Sequence, residues 1–303
     1  MLRVLPDWGH NPLLLNAATV TPTNLEEAAE AIQDGEPVRI QGLGTKVAFG
    51  CPLRARRTLS MRGLSGIVEW RPDDLVVTVR AGTPLAELQA TLGEKEQCLP
   101  LPPWHDALTF LAAGAPGTVG GMVAARLPTR WDARTRGPRY WVLGLRVLLA
   151  NGDVIRCGSS AVKNVAGYDI QKLFTGSWGA LGVICEATLR VFPKAMFDEQ
   201  FSGEPPMSLE GRFAVARAPR TQVKQYVEAT EPSESIVDEE TGTAWMRVEG
   251  AEPPEPPREG WLLCCGFGER NFPVLGGNFD IMQRIKARLD PRGVLNQGVF
   301  GAL

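Results

Sequence analysis

Four glycine-rich clusters have the residue types and spacings to hold a ligand against the main chain. In the first, Arg39-Ile40-Gln41-Gly42-Leu43-Gly44-Thr45-Lys46, a strand pattern runs into a loop with two glycines and a Thr-Lys pair. Glycine adopts positive φ freely, so consecutive N–H groups in such a loop can converge on an anion. Val47 stands where a Rossmann fingerprint has its third glycine, and the spacing of a Walker loop is absent. A β-turn ending a strand is the alternative. The second cluster runs from Gly114 to Ala125 and includes Pro116, Gly117, Thr118, Gly120, Gly121 and Ala124. Its side chains are small enough for a flat or extended ligand to touch the backbone; a tight turn inside a packed sheet is the plainer reading. The third, Val162-Lys163-Asn164-Val165-Ala166-Gly167-Tyr168-Asp169, sets polar groups between two ordered elements, as a capped loop also would. The fourth, Gly176-Ser177-Trp178-Gly179-Ala180-Leu181-Gly182-Val183-Ile184, spaces glycines three apart, as a tight turn or a bulge requires.

The elements that must position these clusters are legible around them. Thr23-Asn24 is a cap for a helix over residues 25–32, with Glu26 and Glu27 in its first turn. A strand over 37–41 leads into the first cluster. Residues 66–81 pattern as a hairpin turning at Arg71-Pro72-Asp73-Asp74. Thr83-Pro84 predicts an N-cap followed by proline at the first helical position, opening a helix over 85–92. Asn151-Gly152 joins strands over 142–149 and 154–156, and 185–192 is another strand. Residues 261–265 form an apolar run that predicts a buried strand, and 279–289 predict a helix with Ile281, Met282, Ile285 and Leu289 on one face. The predicted division is 1–197, an acidic, Pro-rich, irregular unit over 198–260, and a C-terminal segment over 261–303.

Composition narrows the function classes. The 303 residues carry a net charge of −2, which gives no electrostatic footprint for nucleic acid. Two histidines exclude a multi-histidine metal site, and the six cysteines include no C-x-x-C pair, so neither an iron–sulfur cluster nor structural zinc has a ligand set. Reduced thiols and a cytoplasmic location are expected. Residues 107–125 are uncharged, but their central glycines and Pro116 favour a buried glycine-rich loop over a membrane span.

The order Q-G-L-G-T-K, P-G-T-V-G-G, K-N-V-A-G-Y-D, G-S-W-G-A-L-G-V-I and D-P-R-G-V-L-N-Q-G resembles the FAD-linked oxidases of the vanillyl-alcohol-oxidase/PCMH superfamily. Residues 162–192 are similar to its glycolate-oxidase branch. The resemblance covers roughly residues 24–195 and 279–300. It implies an α+β fold, a PCMH-type FAD-binding domain of two α/β subdomains with a small truncated cap. It also implies non-covalent FAD held by Gln41, Gly42, Leu43, Gly44, Thr45 and Lys46 at the pyrophosphate. Pro116, Gly117, Thr118, Gly120, Gly121 and Ala124 would line the cofactor, and Gly179, Gly182, Val183 and Ile184 would run along the adenosine side. Asn164, Gly167 and Tyr168 match a stretch near the flavin, and Asn296 matches an asparagine in the returning C-terminal segment.

Hydride transfer from a hydroxy acid needs a base for the hydroxyl proton and cations for the carboxylate. Lys163 and the run Arg126, Arg130, Arg134, Arg136 and Arg139 supply cations, although a solvated loop accounts for that run equally. The short cap and the presence of only His10 and His105 imply an incomplete substrate site. The implied role is an FAD-binding subunit that works beside a catalytic flavoprotein subunit and an iron–sulfur subunit of a glycolate-oxidase-like complex. The rival readings are a stand-alone FAD-dependent dehydrogenase with His105 or Tyr168 as base, and a scaffold that has lost its flavin.

Overall fold

The computed structural model describes residues 18–46, 53, 55–101, 117–127, 135–159, 169–197, 212–265 and 279–300. In chain order the elements are β1 (Ala18–Val20), α1 (Leu25–Gln33), β2 (Val38–Gln41), β3 (Arg57–Ser60), β4 (Ile67–Arg71), β5 (Val76–Arg80), α2 (Leu85–Gly93), β6 (Gln97–Cys98) and α3 (Val119–Ala125). There follow α4 (Pro138–Trp141), β7 (Val142–Leu148), β8 (Val154–Gly158), α5 (Gln171–Phe174), β9 (Val183–Arg190), β10 (Phe192–Pro193), β11 (Phe213–Arg217), α6 (Val223–Thr230), β12 (Glu234–Asp238), β13 (Thr243–Arg247), β14 (Trp261–Cys265) and α7 (Phe279–Leu289).

The first sheet is parallel, ordered β1-β3-β2. α1 begins where the sequence signals it: the Asn24 side chain accepts from the Glu27 N–H at 2.8 Å, and Glu27 returns to the Thr23 N–H at 2.7 Å. Its Ala28, Ala31 and Ile32 enter a core with Val38, Leu59 and Met61. The second sheet is antiparallel, ordered β4-β5-β9-β7-β8. It packs with α2 and α3 around Val77, Leu88, Leu92, Met122, Trp141 and Leu189. β9 belongs to both cores, since Val183 and Cys185 join the first and Ile184 joins the second. Leu148 of β7 likewise joins the first core while Val147 joins the second, so the two α/β subdomains are fused along two neighbouring strands.

Three local readings change. Pro84 occupies the cap of α2 rather than its first turn. The Thr83 hydroxyl instead accepts from the Gly66 N–H at 2.8 Å, so a tertiary donor outcompetes the helix end. Residues 119–125, expected as loop, form helix α3: Thr118 caps it by accepting from the Gly121 N–H, and packing offsets the low helix propensity of two glycines. On α7, Ile281 is exposed while Met282, Ile285 and Leu289 are half-buried.

The stretch expected to be irregular over 198–260 instead carries a regular antiparallel sheet ordered β12-β13-β11-β14. Trp261–Cys265, placed by sequence in the C-terminal segment, is an edge strand of this sheet, with Phe213 opposite Cys265. α6 covers one face over a core of Ala214, Ala216, Val223, Val227, Ala244, Met246 and Leu262. The other face is also buried, at Phe213, Val215, Trp245 and Leu263. The chain then returns through α7, and Val294 and Leu295 run beside β2, with the Val38 N–H donating to the Val294 carbonyl at 2.7 Å.

Candidate functional site

β2 delivers the first glycine loop. Gly44 sits at φ +75°, the left-handed region that only glycine enters without strain. A Cβ on Gly42 would lie 2.8 Å from Thr118 Cγ2 and overlap the Thr118 hydroxyl, so this residue is glycine because the second segment is pressed against it. The contact repeats one step along, where a Cβ on Gly117 would lie 2.6 Å from Lys46 Nζ and 3.0 Å from Thr45 Oγ1. Thr45 is buried in that joint, and the Lys46 ammonium donates to its hydroxyl at 3.4 Å.

α3 carries the joint onward. Its Gly120 lies on Ala81, with the Gly120 N–H donating to the Ala81 carbonyl at 2.8 Å; the Ala81 N–H donates in turn to the Cys185 carbonyl at 2.8 Å. At its far end the Val123 and Ala124 carbonyls accept from the N–H groups of Gly176 (3.0 Å) and Trp178 (2.9 Å). The fourth cluster thus caps the helix that begins in the second. Asn296 then bridges back to the start. Its Nδ2 donates to the Trp178 carbonyl at 2.6 Å, and its Oδ1 accepts from the Ile40 N–H at 2.7 Å. The first, second and fourth clusters and Asn296 therefore form one closed ring of main-chain segments. Gly179 is glycine for two reasons, its φ of +73° and the Asn296 amide, which a Cβ would meet at 2.6 Å.

Other expected site residues serve as wall. Gly182 packs on Val147 and Phe174, and Val183 and Ile184 pair with Leu148 and Val147 in the sheet, so their side chains are core. Ala124 is half-buried against the same core. Pro116, Asn164, Gly167 and Tyr168 lie outside the described residues, as do His10, His105 and Lys163. Sequence reasoning also passed over Lys286 and Asp290. The Lys286 ammonium donates to the Asp290 carboxylate (2.5 Å) and to the carbonyls of Ala180 (2.7 Å) and Leu295 (2.8 Å). The visible signal was the i,i+4 spacing of Lys286 and Asp290, which marks a helix-end pair but not its burial.

The electrostatics separate binding groups from reactive ones. Burial pushes the Cys157 thiol up to about 11 and the Cys185 thiol to about 12, so neither is a nucleophile at neutral pH. Burial likewise lowers Lys286, against the pull of Asp290. Among the described residues no group of three or more His, Cys, Asp or Glu could hold a metal ion, and no helix is long and apolar enough to cross a membrane. One polar group in the ring is unspent. The Ser177 hydroxyl is buried without a hydrogen-bond partner among the described residues, which a buried hydroxyl rarely tolerates. An extended dinucleotide fits this setting, because bare main chain and an unused hydroxyl are the groups that bind one.

Residues 16–158 match the family model described as FAD binding domain. Over 173 residues the chain is 40% identical to the glycolate oxidase subunit GlcE of Escherichia coli (strain K12), covering 56% of this chain and 46% of the relative. It is 29% identical over 182 residues to the glycolate oxidase subunit GlcD of Bacillus subtilis (strain 168), covering 58% of this chain and 37% of that one. It is also 29% identical over 242 residues to the D-lactate dehydrogenase of Archaeoglobus fulgidus, covering 78% of this chain and 52% of that enzyme. The chain thus spans about half the length, or less, of these curated relatives. Ring, twin cores and sequence match agree on an FAD binding domain over residues 16–158.

Proposed function

We propose that this chain is the FAD-binding subunit of a glycolate-oxidase-like complex. It serves the oxidation of glycolate or a similar small 2-hydroxy acid, beside a catalytic flavoprotein subunit and an iron–sulfur subunit. The observation that carries this reading is the ring of glycine segments closed by Asn296, in a chain 40% identical over 173 residues to a glycolate oxidase subunit.

Main-chain N–H groups of Gly42 to Thr45 donate to the pyrophosphate, and Lys46 adds positive charge beside them. The segment from Pro116 to Ala124 lines the cofactor, and the turn from Ser177 to Gly179 reads the adenosine side, with the Ser177 hydroxyl as an added donor. Asn164, Gly167 and Tyr168 approach the flavin. When bound without a covalent link, FAD supplies a hydride acceptor and an outlet for single electrons. The residues that would take the hydroxyl proton and hold the carboxylate belong to the partner, since this chain contributes only two histidines and a small cap. The complex lies in the cytoplasm, and any membrane contact is made through partners.

The test is anaerobic. Purified chain loaded with FAD is mixed with glycolate, alone and after co-purification with its partners, while the flavin absorbance is followed. Persistent colour in the isolated chain and bleaching in the complex are expected. Rapid bleaching of the isolated chain by a hydroxy acid would establish the stand-alone dehydrogenase instead, a reading favoured by the match to D-lactate dehydrogenase over 78% of the chain.

A further inference from the structure

We propose that Asn296 is a positioning residue: its side-chain amide sets the distance between the first glycine loop and the Trp178–Gly179 turn, and so fixes FAD affinity without spending either end on the cofactor. The proposal rests on the flavin reading above and adds to it how the cradle is held open. Asn296 is buried, and its two side-chain heteroatoms bond main chain from opposite ends of the ring, at Ile40 and Trp178. Its own N–H donates to the Val38 carbonyl at 3.0 Å. These are the connections that turn three separate segments into a closed circuit; elsewhere the circuit is held by α3 and by Gly42 lying on Thr118.

Two of the left-handed non-glycine residues among those described lie at the same point. Trp178 and Asn296 both have left-handed φ, +52° and +42°, although neither is glycine. Asparagine tolerates this conformation better than most residues, and tryptophan does not, so the surrounding bonds hold it there. The segment bearing Asn296 is itself fixed. Asp290, with a side chain fully removed from solvent, accepts from the Val294 and Leu295 N–H groups at 2.8 Å each while Lys286 clamps its carboxylate. Asn296 therefore arrives at the ring on a rigid mount. Without its amide, binding must itself order the two segments, and that ordering is subtracted from affinity.

The test measures FAD dissociation constants by flavin fluorescence quenching on the full chain, at a temperature well below each variant's unfolding midpoint, with far-UV circular dichroism as a folding check. Asn296→Gly keeps the left-handed backbone unstrained and deletes both side-chain bonds. It should remain folded and bind FAD about tenfold more weakly or worse. Asn296→Asp keeps the acceptor for Ile40 but sets a carboxylate oxygen against the Trp178 carbonyl. Its FAD affinity should be weak at about pH 8 and recover toward about pH 5, where a protonated carboxyl regains the donor, while the parent chain changes less. Folded Asn296→Gly that binds FAD within about twofold of the parent overturns the proposal. If that variant does not fold, an Asn296→Asp affinity without the acid recovery overturns it. A parent chain that binds no FAD overturns the flavin reading itself, an outcome visible before any variant is made.

Discussion

Lys286 and Asp290 carry opposite charges into a site where the lysine side chain is only 12% exposed and the carboxylate not at all. A desolvated pair contributes little net stability, but removing one member strands the other. Lys286→Met should therefore lower unfolding free energy by about 3–5 kcal/mol in urea titration. Lys224→Ala, which breaks the surface pair with Glu239, should leave the urea midpoint essentially unchanged. A small effect of Lys286→Met would mean that Asp290 is satisfied by its two main-chain donors alone. This pair also shows where sequence reading stops. The D-P-R-G turn is legible as a helix stop from local chemistry, whereas Lys286 reaches the Ala180 carbonyl across 106 residues. Motif order points to Asn296 as a site residue, but its bond to Ile40 spans 256 residues and no local pattern encodes it.

Helices α2 and α3 each contain glycine, and the same substitution should have opposite signs in them. Gly93 ends α2 without a left-handed φ, and a methyl placed on it would meet nothing within 4 Å. Gly93→Ala should stabilise the fold by up to about 1 kcal/mol through helix propensity. In α3 a methyl on Gly120 would lie 2.7 Å from Ala81 Cβ and 3.0 Å from its carbonyl oxygen. Gly120→Ala should cost about 1–3 kcal/mol by overpacking, read as a drop in thermal midpoint. Equal effects of the two would remove the packing account of the second glycine cluster. The period and cap signals made α1, the β4–β5 hairpin and the β7–β8 hairpin readable from sequence. Helix α3 was not, because propensity disfavours it and only the contacts with Ala81 and the 176–178 turn sustain it. Thr83 misled for a related reason: its hydroxyl had a competing donor at Gly66, brought near by the β4–β5 hairpin.

Three acids shielded by the fold, two in the five-stranded sheet and one on α6, tie global stability to alkaline pH. Cys157 in β8, Cys185 in β9 and Tyr226 in α6 are pushed up by burial to about 11, 12 and 12, from ordinary values of 9.0, 9.0 and 10.0. Each folded-state value lies above its unfolded one. The stability they contribute is complete below about pH 9 and is lost as pH rises toward the folded values. Urea midpoints should hold steady up to about pH 8.5 and fall progressively by about pH 10.5, and a flat profile would mean these groups open to solvent in the native state. At the same scale, the alternation of helix and strand signals gives the elements, while the division into two α/β subdomains comes from the family resemblance alone. The regular sheet over residues 213–265 was not, because its prolines and acidic residues lie mostly between strands and obscure the pattern. That sheet begins and ends on neighbouring strands, with Phe213 facing Cys265. The two ends of this excursion lie side by side, so whatever stands between them can be enlarged, trimmed or exchanged over evolutionary time while the rest of the fold keeps its register.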